Sequence, residues 1–219
     1  MTLVTIQRTT SVRIGRVSGD FQIARGAGVG SSIDAGGVMY LLSQLFLGTY
    51  AIWRNFMSYN TGGSIPSNAV ITAATFNIYI WTKNIYHDLT TQGVLTQSSQ
   101  ATPTSPNTAD YDNIILDDPV EAGRFDLDSV SVWKIINFSE ESLSWIKRAG
   151  EQSNNASPYP TEGYTLLCLR ADKDVSDTAP VFLGCNIGFL NLFYPPYLTV
   201  TYNTATLFDS VIEDGTIEG

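Results

Sequence analysis

The chain holds one histidine, His87, and Asp88 follows it directly. A Ser-His-Asp or Cys-His relay would have to pass through that imidazole. Its surroundings, "NIYHDLTTQG", hold no G-x-S-x-G turn to present a serine nucleophile. His87 therefore reads as a solvated loop residue. Carboxylates fall in close pairs at Asp110/Asp112, Asp117/Asp118, Asp126/Asp128 and Glu140/Glu141. Glycosidic acid–base chemistry needs two carboxyls roughly 5–10 Å apart across a cleft, and sequence neighbours do not supply that arrangement. They read as turn formers and solvated faces. Asp172, Asp174 and Asp177 lie together in "ADKDVSD" and are the candidate calcium ligands. Calcium takes six to eight oxygens, although the glycine and distal glutamate of an EF-hand loop are missing here. "GAGVG" at 26–30 lacks the strand–helix unit that a dinucleotide loop requires. Cys168 and Cys185 sit in apolar settings with no C-x-x-C, so buried thiols are expected rather than zinc ligands, and a disulfide stays open. No catalytic residue is expected, and no cofactor other than calcium at the aspartate loop.

The residues that could do binding chemistry are aromatic. In "AVITAATFNIYIW", Ala74, Phe76, Ile78 and Ile80 share one side of a strand, and Thr75, Asn77, Tyr79 and Trp81 share the other. Tyr79 and Trp81 thus face away from the core set. Such rings stack on sugars, or pack against a neighbouring subunit.

The elements that must position these rings are strands. Alternation of period two recurs in "SVRIGRV", "GYTLLCLRAD" and "YLTVTYN", with Gly62-Gly63, Ile65-Pro66-Ser67-Asn68, Asp118-Pro119 and Tyr194-Pro195-Pro196 as turn signals between runs. Many short strands with Gly/Pro punctuation predict an all-β, antiparallel sandwich or barrel. One short helix is predicted over about 140–149, with Ser139 as N-cap, Glu140 and Glu141 in its first turn, and Gly150 after it. Residues 87–112 read as a long polar surface loop. The residues of 204–219 read as an acidic and apolar interaction arm, with Leu207, Phe208, Val211 and Ile212 as its contact residues. Residues 1–203 are expected to form a single sandwich domain.

Ala35 to Trp53 runs nineteen residues without a charge. A membrane helix needs about 20 predominantly apolar residues, but this window contains Gly36, Gly37, Ser43, Gln44, Gly48 and Thr49. Gly48-Thr49 divides it into two strand-like pieces, so interior strands are expected and no membrane span. Charged residues are 15% of the 219, and the net charge of −9 argues against nucleic acid, whose phosphates require Lys/Arg clusters. The N-terminus shows no continuous apolar leader, which predicts synthesis in the cytoplasm without a signal peptide.

The segment "WRNFMSYNTGGSIPSNAVITAATFNIYIW" resembles the DNRLRE (disaggregatase-related) modules of microbial surface proteins. The matching positions are Arg54, Tyr59, Ile65-Pro66, Ile71, Ala74, Phe76, Ile78 and Tyr79, and "INFSEESLSWIKRAG", "GYTLLCLRAD" and "PPYLTVTY" follow in the family's order. The resemblance spans about residues 20–202. It implies a jelly-roll-like β-sandwich that binds or builds rather than catalyses. Where the family has a Trp/Glu-rich strand, this chain has 87–110 and "YDNIILDDPVEAGRFDLD", so no ligand site is carried over.

Composition and resemblance together predict a non-catalytic structural or binding module that assembles with copies of itself or with other virion proteins. The expected setting is a phage virion or extracellular particle surface, as a decoration or tail-associated protein. The alternative is a carbohydrate-binding module related to secreted polysaccharide-active proteins, with a surface glycan as partner.

Overall fold

The structure is a computed structural model that describes residues 1–35, 38–84, 92–127, 129–155, 161–181, 186–190 and 194–204. The described residues form thirteen strands: β1 Thr2–Gln7, β2 Thr10–Ser18, β3 Ser32–Asp34, β4 Val38–Phe46, β5 Thr49–Asn60, β6 Ala69–Ile80, β7 Thr82–Asn84, β8 Gln92–Gln97, β9 Glu121–Asp126, β10 Val132–Asn137, β11 Tyr164–Ala171, β12 Asn186–Leu190 and β13 Tyr197–Thr204. Two short helices, α1 Phe21–Arg25 and α2 Asp172–Val175, interrupt them. Every pairing is antiparallel, and two sheets pack as a sandwich, as the alternation predicts.

The smaller sheet has the order β1-β13-β6-β10, and the larger runs β7-β12-β4-β5-β11-β8-β9, with β2 attached at β5 and β3 at β2. Alternation fills the space between them. Ala74, Phe76, Ile78 and Ile80 of β6 and Leu198 and Val200 of β13 meet Met57 and Tyr59 of β5 and Leu167 and Leu169 of β11. The core side of β6 is therefore the one read from its sequence.

The uncharged stretch ahead of Trp53 is the β4–β5 hairpin, with Leu42 paired to Trp53 and Phe46 to Thr49. Its two-residue turn puts Leu47 at φ 48° and Gly48 at φ 75°. Positive φ at both centres is a type I′ turn, whose right-handed twist suits a hairpin. A leucine there is strained by its Cβ, and Leu47 is 85% exposed, so no packing offsets the strain. Leu47→Asn is expected to stabilise the protein by about 0.5–1 kcal/mol, seen as a higher urea midpoint at unchanged m. No helix among the described residues is long and apolar enough to cross a membrane.

Two elements depart from expectation. The helix over 140–149 is a single 3-10 turn, Ser142–Trp145, and Ile146 is already extended at ψ 114°. Ser139 Oγ does accept from the Ser142 N–H at 3.3 Å, but beyond the turn the N–H groups find tertiary partners. Lys147 N–H donates to Thr165 Oγ1 and Ala149 N–H to the Ile65 carbonyl, and these bonds replace the i−4 ladder. Extended backbone also lets Trp145 and Ile146 both turn inward. Gly150 follows at φ 77°, a conformation suited to glycine.

The polar loop expected over 87–112 instead contains β8, an inner strand between β11 and β9. Gly93, Val94, Leu95 and Thr96 are all buried, and a strand covered on both faces loses the alternation that marks strands in sequence. Residues after β8 fold back across the larger sheet, where the 3-10 turn Thr108–Asp112 buries Asp110 and Tyr111. The acidic stretch that follows supplies β9. His87, Cys185, Asp128 and the arm residues Leu207, Phe208, Val211 and Ile212 lie outside the described residues.

Candidate functional site

A sandwich has two outer faces, and this chain treats them differently. The outer face of the larger sheet is covered by its own loops. Val12 and Ile14 of β2, Phe56 of β5 and Cys168 of β11 form a second core with Tyr111 above them. Phe21 and Ala24 of α1 pack beside it on Ile52.

What pins these covering segments is a buried ionic network. The Asp174 carboxylate receives Arg54 Nη2 at 2.8 Å on Oδ1, with Arg54 Nε and Arg170 Nε both at 2.9 Å on Oδ2. All three side chains are fully buried. The remaining guanidinium donors go to backbone carbonyls: Arg54 to Tyr111 and Arg25, Arg170 to Ile115 and Leu116, and Arg25 to Leu116 and Asp174. Arg54 also lies 4.1 Å from the Tyr111 ring centroid. Arg25 completes the balance at the rim with Asp117 at 2.8 Å and Asp177 at 3.4 Å. Burial pushes the Asp174 carboxyl up, but the charges of Arg54 and Arg170 and their hydrogen bonds outweigh it and hold it far below the usual carboxylate range.

Two of the three aspartates named for calcium are engaged by this network: Asp174 accepts from two arginines, and Asp177 meets Arg25 and accepts from Gln22. No group of three metal-ligating acids, cysteines or histidines occurs among the described residues. In three of the other pairs one acid has a structural partner. Asp110 accepts from the Ala101 and Asn107 N–H groups and from Asn113, Asp117 meets Arg25, and Asp126 accepts from Gln92. Glu140 and Glu141 are exposed. Cys168 is a free thiol, sealed in the second core, where burial pushes it up to about 12.

The outer face of the smaller sheet is where side chains are left to act. The registers place Tyr79 opposite Trp133, Asn77 between Tyr197 and Ile135, and Thr75 between Thr199 and Asn137. On the far side of β13, Gln7 faces Tyr197, Thr5 faces Thr199 and Leu3 faces Thr201. One end of this face is aromatic. Tyr79 stacks on Tyr194 with centroids 4.2 Å apart, and Trp133 stands edge-to-face to Tyr79 at 5.5 Å and to Tyr197 at 5.2 Å. Trp133 is 41% exposed and its neighbour Ile135 58%. The other end is hydroxyl and amide, and none of these side chains is charged. Asn77 is buried under this face and donates from Nδ2 to Thr75 Oγ1 at 2.9 Å, so the exposed amides here are those of Asn137 and Gln7.

Of the two rings expected to bind, Tyr79 is in this cluster. Trp81 stands just past the end of β6, 47% exposed and outside the four-ring group. Trp133, Tyr194 and Tyr197 were not foreseen. The signal for Trp133 was present in "SVSVWKIINF", where Trp133, Ile135 and Asn137 alternate with Val132, Lys134 and Ile136. Pro195-Pro196 stiffens the approach that sets Tyr194 beside Tyr79. No protein-family model matches the chain, and no curated protein matches it significantly.

Proposed function

We propose that the chain is a non-catalytic β-sandwich recognition module whose working surface is the outer face of the smaller sheet, and that this face takes a neutral glycan. Its proposed setting is the surface of an assembled particle, a phage virion in the first instance, in keeping with the resemblance to DNRLRE modules. The observation that carries the reading is the uncharged face itself, graded from the Tyr79–Trp133–Tyr194–Tyr197 cluster to Asn and Thr side chains. Sugars present C–H faces that stack on rings and hydroxyls that bond to amides and hydroxyls. An uncharged face offers nothing to an anionic polymer.

Four strands at ~4.8 Å and four rows at ~6.7 Å give this face a projected area of ~500 Å².

Affinity electrophoresis of the full chain through gels containing neutral or acidic polysaccharides tests the reading. Retardation is expected in neutral gels, and Trp133→Ala is expected to weaken it about tenfold, the equivalent of one stacking contact. Retention by no neutral glycan would overturn the proposal, as would a Trp133→Ala effect confined to oligomeric state.

A further inference from the structure

Sheet edges are open rows of N–H and C=O groups, and proteins guard them with charges, prolines, bulges or brevity. Three edges here are guarded. β9 carries Glu121 ion-paired with Arg124 at 2.5 Å, and its pairing with β8 is bulged between Leu95 and Thr96. β10 places Lys134 in the core-facing register beside Ile136. β3 is three residues long and ends in Asp34, which pairs with Arg13. β1 differs from all of these. It has six residues, "TLVTIQ", with no charge, no proline and an unbroken register against β13, and among the described residues its other edge is unpaired.

We propose that this open edge of β1 receives the segment after Thr204 from a second copy of the chain, as an added strand. The inference rests on the setting proposed above, the surface of an assembled particle. Three observations select the occupant. Tyr202 pairs with Thr2, so β13 leaves the sheet beside the first residues of β1, and fifteen residues follow Thr204. That length exceeds a six-residue strand with its connection. Its sequence, "ATLFDSVIEDGTIEG", supplies Leu207, Phe208, Val211 and Ile212 together with Asp209, Glu213, Asp214 and Glu218, and no base. On a chain of net charge −9, residues 1–9 contain Arg8 and no acid, so the acidic arm meets no like charge there. Leu3, 67% exposed on β1, offers the apolar contact for the arm's alternate side chains.

Light scattering after size exclusion, over a concentration series of the full chain, tests this. Concentration-dependent association is expected for the wild type. Leu3→Lys and the full-length double variant Phe208→Asp/Val211→Asp should each weaken it at least tenfold while the melting temperature is unchanged. A synthetic peptide of residues 205–219 should dissociate the wild-type assembly. A wild type that stays monomeric throughout overturns the proposal. So does association that survives in the arm variant and is lost in Leu3→Lys, which would mean pairing of β1 with β1. Retention in neutral glycan gels should persist in the arm variant Phe208→Asp/Val211→Asp, which keeps a failure here distinct from a failure of the glycan reading.

Discussion

Asp174→Asn is expected to destabilise the protein by about 3–5 kcal/mol, lowering the melting temperature by about 10 °C. The change is nearly isosteric, so its effect is electrostatic. Arg54 and Arg170 are fully buried around this carboxylate, and the amide would leave two guanidinium charges with no buried counter-ion. The amide N–H groups would also point at guanidinium N–H donors. Because these arginines hold the backbone at Tyr111, Ile115 and Leu116, the segment covering the second core should loosen, and Cys168 should become reactive to thiol reagents. Thermal unfolding with thiol titration of the folded protein checks both.

The same variant has a pH signature. Asp174 is depressed in the folded protein, so its contribution is complete above the unfolded carboxyl value of about 4 and is lost as pH falls below it toward the folded value. The stability gap between wild type and Asp174→Asn should therefore be constant from pH 7 to about 5 and narrow at lower pH. A gap that widened under acid would contradict the assignment of Asp174 as the charged partner.

Gly62→Ala is expected to cost about 3 kcal/mol. A Cβ at Gly62 would lie 2.5 Å from Gly163 Cα and 3.0 Å from the Arg148 carbonyl oxygen, and both are backbone atoms. Gly62 N–H donates to the Gly163 carbonyl at 2.7 Å and Gly163 N–H to the Glu151 carbonyl at 2.8 Å, so three segments interlock where β5 and β11 meet their loops. Gly163 is itself at φ 75°, so it cannot give way by adopting an ordinary conformation. Gly63→Ala is the milder comparison: its Cβ would meet Asn60 Oδ1 at 3.1 Å, a side-chain atom that can give by a few tenths of an ångström, at some expense to the bond it accepts from the Gly63 N–H at 3.0 Å. The urea midpoint should fall for Gly62→Ala and fall much less for Gly63→Ala.

Strand pattern was legible because a half-buried strand writes its two faces into alternate positions. β6 is the clearest case, with its core side read correctly and Tyr79 assigned to the opposite face. The β4–β5 hairpin was legible from its glycine and from the polar residues that interrupt an apolar run. β8 was not, because burial on both faces erases alternation. The short helix was over-read, since its start signals are local while its end depends on Thr165 and Ile65, distant in sequence.

Sequence by itself determined the class of architecture, the core face of its main strands and the absence of net positive charge, because these follow from periodicity and composition. Only the tertiary structure decided which side chains meet. Asp174 in a loop of three aspartates reads as a metal ligand until Arg54, 120 positions away, is seen to hold it. Trp133 and Tyr194 come together in one aromatic cluster only when β10 and the approach to β13 flank β6. Contacts between distant positions are set by how strands are ordered in the sheet, and alternation within a strand has no term for that order.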